Sequence, residues 1–113
     1  MLSAPNRLRS SKDFARTTKV GYRATSASLV LYLRVDEQLA PAPQIGFIIS
    51  KVVGGSVTRH RIARQLRHAV ADQIQSLPGH SQLVIRVIKS DGDFLTELAQ
   101  AISKIVKKSE VKS

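Results

Sequence analysis

The sequence has no cysteine and no tryptophan, and it has few acidic side chains. Without cysteine, the chain can form neither disulfides nor thiolate metal sites. No apolar run approaches the roughly 18–20 residues that a membrane-spanning helix requires. The first residues, MLSAPNRLRSSKDF, also lack the apolar core of a signal peptide. These absences predict a cytoplasmic protein, and its 113 residues predict a single domain.

Positive charge is what the chain has in excess. Eighteen Lys and Arg residues face eight Asp and Glu residues, which gives a formal net charge of +10. Residues 1–71 hold twelve of the basic side chains and only three of the acidic ones. A positive surface concentrated in one part of a chain favours a polyanionic partner, most often a nucleic acid. An anionic membrane is disfavoured because the most basic segment carries no aromatic residue, and a solvated surface without a partner is the remaining alternative.

Apolar runs rich in β-branched and aromatic residues predict the strands. Three are predicted over 28–35, 44–52 and 82–88, with a short leading strand within 22–27. The polar, proline-bearing residues 36–44 predict an exposed hairpin loop between two of these strands. Together with three predicted helices, these strands give the element order α-β-β-β-α-β-α, which indicates an α+β sandwich in which helices pack on one sheet.

Three helices complete this pattern. They are predicted from an N-cap at Ser11 to Gly21, over 56–76 and over 93–108. Asp13 lies in the first turn of the first helix, where the helix dipole favours an acidic residue. Residues 1–10 are expected to form a flexible basic arm with nothing to bury, and residues 109–113 a frayed tail.

The segment 51–70, KVVGGSVTRHRIARQLRHAV, separates into two faces when it is projected as a helix. Val57 is interpreted as part of its amphipathic pattern, and at about 100° per residue a core stripe is formed by Ile62, Ala63, Leu66, Ala69, Val70 and Leu77. The opposite face carries His60, Arg61, Arg64, Arg67 and His68. Arg59 projects toward the core side, but it lies in the first turn, from which it can reach past the sheet edge.

The start of this helix is predicted to bind phosphate. Gly54 and Gly55 indicate a tight turn, and the helix N-terminus after it offers N–H groups and a positive dipole end. Arg59 and Arg61 add forked donors that suit phosphate oxygens, although the spacing of a P-loop is missing. No acidic residue occurs from residue 38 to residue 71, whereas solvated faces usually mix signs. Phosphate contact is therefore favoured over a merely solvated face.

These residues resemble the signature of the bacterial ribonuclease P protein subunit, approximately K-x-x-G-x-A-V-x-R-N-R-x-K-R-x-x-R. The matching positions are Lys51, Gly54, Val57, Arg59, Arg61, Arg64 and Arg67. An N-terminal R-L-x-x-x-x-D-F at Arg7, Leu8, Asp13 and Phe14, followed by VLYL at 30–33, extends the resemblance over most of the chain, most strongly 7–71. The sequence departs from the family at Thr18, Ser56, His60 and Ala63, where an aromatic residue, Ala, Asn and Lys are usual.

The resemblance implies a left-handed crossover within the α-β-β-β-α-β-α sandwich and one ribonuclease P protein-type domain over residues 1–113. It implies a protein subunit, monomeric on its own, that pairs one to one with a large catalytic RNA. The complex would remove the 5′ leader from precursor tRNA. The RNA would supply the active site and hold Mg²⁺, so no catalytic residue and no metal ligand is expected in this chain.

Two groups of site residues are expected from the resemblance. RNA binding is assigned to Lys51, Arg59, His60, Arg61, Arg64, Arg67 and His68. A cleft for the leader, between the first helix and the sheet, is assigned to Phe14, Arg16, Lys19, Tyr32 and Arg34. Phe14 and Tyr32 would stack on leader bases, and packing against the protein core is the alternative interpretation of both rings.

Other functions remain open at this stage. A nuclease that acts without RNA is disfavoured, because His60 and His68 lie about 12 Å apart along the helix and no carboxylate pair accompanies them or His80. A ribosomal-type RNA-binding protein without a role in cleavage would have the same composition. So would a DNA-binding protein that inserts the basic helix into the major groove.

Overall fold

The computed structural model describes residues 6–111. Their elements are α1 (Ser11–Val20), β1 (Tyr22–Thr25), β2 (Leu29–Val35), β3 (Gln44–Ile48), α2 (Ser56–Ala71), a short 3₁₀ helix (Ile74–Ser76), β4 (Ser81–Val87) and α3 (Phe94–Val111). The predicted order α-β-β-β-α-β-α is confirmed. The 56–76 helix is divided, because its last residues form the 3₁₀ turn rather than further α-helix.

The four strands form one sheet in the order β1-β2-β4-β3. Strand β2 pairs antiparallel with both β1 and β4, and β3 runs parallel to β4. The predicted hairpin across residues 36–44 is therefore wrong, since β4 lies between β2 and β3. Strand β4 is buried along almost its whole length, which suits a central strand with a partner on each side. The β3–α2–β4 unit is a crossover, whose left-handed sense stays a prediction.

The loop between β2 and β3 is held by His80 instead of by strand pairing. The His80 N–H donates to the Pro41 carbonyl at 3.1 Å, and its own carbonyl accepts from the Asp36 N–H at 3.0 Å. Its Nδ1 lies 2.8 Å from the Leu39 carbonyl, so this nitrogen carries the proton and donates. His80 has a φ of 53°, a left-handed conformation that these three contacts stabilise. This histidine, a nuclease candidate in the sequence, is a loop anchor.

The core lies between one face of the sheet and helices α2 and α3. Alternate strand residues on that face, such as Leu29, Leu31 and Leu33, pack in one cluster with Leu66 and Leu98 of the helices. Each of these side chains is fully buried. Burying one leucine in this way contributes about 1.5–3 kcal/mol, so the packing of α2 and α3 on the sheet is the main source of stability.

The predicted core stripe of α2 is largely confirmed, with one error. Ile62 and Leu66 are fully buried and Ala63 is half-buried, but Val57 is 84% exposed. Val57 precedes Leu66 by nine residues, which places it about 180° away around the helix. Its side chain therefore lies on the basic face, and interpreting it as part of the amphipathic core pattern was wrong.

The chain ends differ from expectation where the structure describes them. Leu8 is 7% exposed, and its N–H donates to the Ile45 carbonyl at 2.9 Å, so the expectation that the arm has nothing to bury is wrong here. Helix α1 is capped by Ser10 rather than Ser11, because the Ser10 hydroxyl accepts from the Asp13 N–H. Helix α3 continues to residue 111. Residues 1–5 of the arm and 112–113 of the tail lie outside the described residues.

A carboxylate ties the turn between β1 and β2 to the start of α3. One oxygen of Glu97 accepts from the Ser26 hydroxyl and from the Ser28 N–H, both at 2.7 Å. Partial burial raises the pKa of Glu97, but the hydrogen bonds from Ser26 and Ser28 outweigh this effect, and the pKa lies below its ordinary value of 4.5. These hydrogen bonds favour the ionised carboxylate in the folded protein.

We expect Glu97→Gln to lower the free energy of unfolding at pH 7 by about 1 kcal/mol, because the charge on the acceptor is lost. A pKa depressed by folding stabilises the protein above the unfolded-state value and stops doing so as the pH falls through the folded-state value. The difference between wild type and Glu97→Gln should therefore vanish as the pH falls below 4.5. Urea unfolding at several pH values measures it, with the exposed Glu110→Gln as control. A difference that persists in acid would contradict this account.

Candidate RNA interface

Helix α1 lies across the sheet face opposite α2 and α3, above a row of hydrogen-bonded polar side chains. The strand register aligns Arg34, Gln82 and Gln44 across β2, β4 and β3. Oε1 of Gln82 accepts from the Thr17 hydroxyl of α1 at 3.0 Å and from the Arg34 guanidinium at 3.4 Å. Its Nε2 donates to Gln44 at 3.1 Å. This polar row, Arg34, Gln82 and Gln44, fixes the position of α1 on the sheet.

Arg34 was predicted to contact the leader, and the structure gives its side chain protein partners. Besides Gln82, its guanidinium lies 3.6 Å from the Asp36 carboxylate. Only 13% of the Arg34 side chain is exposed. Arg34 and Tyr32 do share one face of β2, as the alternation along the strand predicts. Arg34 therefore helps to hold α1 through the Gln82 side chain that it shares with Thr17, and α1 carries three of the residues predicted to bind the leader.

The next row of strand residues on the same face carries one predicted aromatic ring, Tyr32, and supports the other, Phe14 of α1. Arg23, Tyr32, Val84 and Gly46 are aligned by register across β1, β2, β4 and β3. The Phe14 ring rests directly on Gly46, where even a methyl group would overlap it. Tyr32 and Gly46 lie two strands apart, which corresponds to about 10 Å. Both rings are half-buried and lie on one face of the sheet.

The exposed face of α2 forms a shallow basic groove of about 700 Å³. It is lined by Val57, His60, Arg61, Ala63, Arg64 and Arg67. Four of the predicted RNA-binding residues therefore lie together. None of these four forms an ion pair with a carboxylate within residues 6–111. The groove is a continuous cationic surface whose charges are available to a partner.

A second concavity, the cleft, lies between α1, β3 and α2 and has a volume of about 360 Å³. Its lining is Leu8, Phe14, Ile45, Gly46, Phe47, Ile49, Arg59, His60, Ala63 and Arg67. The floor is apolar, and Arg59 and Arg67 supply a cationic rim next to the His60 imidazole. His60, Ala63 and Arg67 line both the cleft and the basic groove. The basic groove and the cleft are thus one continuous surface, but of the residues predicted for the leader cleft only Phe14 lines it.

The turn before α2 explains how Arg59 reaches the cleft. Its Nε donates to the Gly54 carbonyl at 3.2 Å, which directs the side chain back over the helix start. The predicted turn is present, but neither Gly54 nor Gly55 has a positive φ, so the turn does not need a backbone conformation that favours glycine. A Cβ at Gly54 would instead come within 2.9 Å of Thr58. Gly55 precedes the helix without a side-chain cap, so it leaves the first N–H groups of α2 to other acceptors.

The remaining predicted residues line neither of these two concavities. His68 lines another cavity, of about 410 Å³, together with Asp72 and Asp93. Those two carboxylates make that region unfavourable for phosphate. Arg16 and Lys19 are exposed on α1 and line neither the cleft nor the basic groove. Lys51 is exposed in the turn before α2.

Several residues of this surface were missed by the sequence reasoning. Leu8, Phe47 and Ile49 help form the floor of the cleft. Arg23 and Arg86 are exposed on strands β1 and β4, and both belong to the face that carries Tyr32. The apolar Leu8 within an otherwise polar arm was a signal that could have been used, since it had to pack somewhere.

Two absences within the described residues bear on other functions. In the part of the chain from residue 6 to residue 111, no three carboxylate or imidazole groups lie close enough together to hold a metal ion. Over the same residues, none of the helices has both the length and the apolar content that crossing a bilayer requires.

Comparison with known proteins gives one consistent family. The family model described as Ribonuclease P matches residues 2–110. The ribonuclease P protein component of Mycolicibacterium gilvum is 40% identical over 111 residues, which cover 93% of this chain and 90% of that protein. The corresponding protein of Streptomyces griseus is 41% identical over 100 residues, which cover 82% of this chain and 81% of that protein.

Solved structures share the fold at lower sequence identity. The Staphylococcus aureus RNase P protein superposes with a TM-score of 0.73 at 20% identity, over 96% of this chain and 98% of that one. The Thermotoga maritima RNase P protein gives a TM-score of 0.71 at 20% identity, over 90% and 96% of the two chains. The fold, the family match and the identity to the curated relatives agree, and the chain belongs to the ribonuclease P family of protein components.

Proposed function

We propose that this chain is the protein component of ribonuclease P, which binds the ribonuclease P RNA through the basic groove and the 5′ leader of precursor tRNA through the cleft. Family membership supports the role in tRNA 5′ processing. The assignment of the catalytic RNA to the groove and of the leader to the cleft is supported by the continuity of the two concavities. His60, Ala63 and Arg67 line both, so an RNA in the groove and a strand in the cleft would meet on α2.

The basic groove suits the phosphates of a folded RNA. Arg61 and Arg64 present forked donors on the exposed face of α2, and each can bind two phosphate oxygens at once. The opposite face of the same helix is locked into the core by Ile62 and Leu66. The donors therefore start from a fixed backbone, and less conformational entropy is lost on binding. Lys51, in the turn before α2, extends the same positive surface.

The cleft suits a single strand. One side of the Phe14 ring is covered by Gly46, while the half-exposed remainder borders an apolar floor on which a base can stack. Arg59 and Arg67 on the rim are placed to meet phosphates of the same strand. Tyr32, on the same sheet face, offers a second platform. Arg16 and Lys19 on the exposed side of α1 add long-range attraction for the strand.

The chemistry is assigned to the RNA. We propose that the RNA holds the Mg²⁺ ions and the catalytic groups, and that this chain supplies none of them. Its contribution is to bring substrate and RNA together, with one protein for each RNA. The proposed place of action is the cytoplasm, where precursor tRNA would meet the complex. The protein would bind the precursor more tightly than the mature product, because only the precursor has a leader to occupy the cleft.

The partner can be tested by equilibrium binding. At matched salt, the protein should bind folded ribonuclease P RNA at least ten times more tightly than duplex DNA of similar length, because the groove and cleft together fit folded RNA. A structured RNA of unrelated sequence and the same length is the second competitor. Equal affinity for all three would contradict the proposal and favour a general nucleic-acid-binding protein. Equal affinity for the two RNAs alone would favour a ribosomal-type RNA-binding protein.

A further inference from the structure

Two valines, one in the turn before α2 and one in the basic groove, are almost fully exposed. Val52, in the turn before α2, is 94% exposed, and Val57, in the first turn of α2, is 84% exposed. The other large apolar side chains that are exposed in residues 6–111 range from 43% to 63%. Scattered exposed valines are ordinary on a protein surface, but these two lie five residues apart at the start of the most basic helix.

Folding does not account for either side chain. Val57 lies on the side of α2 opposite the buried Leu66, and β-branched residues are weaker helix formers than the arginines that follow it. Val52 lies in an ordered turn, since the Val53 N–H donates to the Ser50 carbonyl and the Gly54 N–H donates to the Lys51 carbonyl, at 3.1 and 3.2 Å. The backbone therefore holds Val52 away from the core.

The residues near Val52 and Val57 indicate which kind of partner contacts the two valines. Val57 lines the basic groove with Arg61 and Arg64, which follow it by four and seven residues on the same helix face. Lys51 stands next to Val52. A surface whose charges are all positive selects a polyanion, and the apolar surfaces of a nucleic acid are its base faces and sugar carbons. In a regular RNA helix the base faces are hidden in the stack, and the accessible sugar edge carries polar 2′-hydroxyl groups, so a contact with two valines favours an unstacked nucleotide.

We infer that Val52 and Val57 form an apolar contact for an unstacked nucleotide of the RNA partner, beside the arginines that bind its phosphates. The inference rests on the proposed function for the identity of that RNA. It divides the binding surface into two parts with different physical signatures. Phosphate contacts weaken steeply as salt is added, whereas an apolar contact does not release counterions and is nearly independent of salt. The contact would also favour RNA with unpaired nucleotides over continuous duplex.

The test is a double variant, Val52→Thr with Val57→Thr, titrated with folded ribonuclease P RNA over a range of salt concentrations. Threonine keeps the shape and the β-branching of valine, so the turn and helix should be unchanged. Val35→Thr is the matched control. Val35 is 43% exposed and pairs with Ser81 at the start of β4, whereas the start of α2 follows the end of β3, which is level with the other end of β4.

We expect the double variant to bind about tenfold more weakly, with the wild-type salt dependence and the wild-type thermal midpoint. Affinity equal to that of Val35→Thr would overturn the inference. So would a loss accompanied by a shallower salt dependence, because that result means lost phosphate contacts.

A continuous RNA duplex is the second probe, because it offers no unstacked base. The double variant and wild type should bind it equally, and an equal loss on duplex and on folded RNA would overturn the inference. A different result would contradict the proposed function, namely that wild type binds unrelated structured RNA as tightly as ribonuclease P RNA. In that case the comparison between structured RNA and duplex still decides the role of the two valines.

Discussion

Alanine at both Arg61 and Arg64 is expected to weaken binding to ribonuclease P RNA on the order of a hundredfold near 0.1 M salt. Both side chains are exposed on the basic face of α2, and neither forms an ion pair with a carboxylate in the described part of the chain. Their loss should therefore lower the affinity for RNA and leave the stability of the fold unchanged. The slope of log affinity against log salt should fall by about two, because about two counterions fewer are released.

The measurement is a set of binding titrations at several salt concentrations, together with a thermal melt of each free protein. Exposed substitutions of this kind change stability by only about 0.5 kcal/mol. The matched control is alanine at Lys104 and Lys107, two exposed cations on α3. The same loss from both pairs would mean that affinity follows net charge alone, and the assignment of the interface to α2 would be wrong. A large fall in the melting midpoint would show instead that the arginines are structural.

Phe14→Ala is expected to lower the affinity of the assembled complex for precursor tRNA about tenfold, and to leave its affinity for mature tRNA nearly unchanged. Stacking of one base on an aromatic ring contributes about 1–3 kcal/mol, and only the precursor has a leader to stack. Binding of both tRNAs to the complex of protein and RNA measures the difference.

The alternative role of Phe14 is packing, because its ring rests on Gly46. Phe14→Leu separates the two roles, since leucine retains much of the apolar contact and loses the flat stacking surface. If Phe14 binds the leader, Phe14→Leu should share the precursor-specific defect while remaining nearly as stable as wild type. Equal losses of affinity for both tRNAs, accompanied by a lower melting midpoint in Phe14→Ala alone, would assign the ring to packing.

Much of the fold could be predicted because local pattern decides it. The alternation in β2 and the helical period of α2 and α3 fix element type, and the two faces of α2 follow from geometry alone. The partner of β3 could not be predicted in this way. Pairing with β4 depends on which strand best fills the centre of the sheet, and that depends on the burial of β4 along its whole length.

The site was predicted less completely, for a related reason. Arginines on one helix face could be grouped because their spacing is fixed by the helix. Arg34 could not be judged, because its partners Gln82 and Asp36 depend on sheet register and loop conformation. His68 projects onto the basic face, but Asp93, which immediately precedes α3, lines the same cavity. Contacts between elements that are distant in sequence decided each of these cases.

The most direct test of the account is cleavage of a 5′-labelled precursor tRNA at low Mg²⁺ concentration. Three reactions are compared, containing this protein alone, ribonuclease P RNA alone, and the two together. The account predicts cleavage at the mature 5′ end only when protein and RNA are both present. Failure of the protein to rescue the RNA, despite tight binding between them, would contradict the subunit role, and cleavage by the protein alone would contradict the assignment of the chemistry to the RNA.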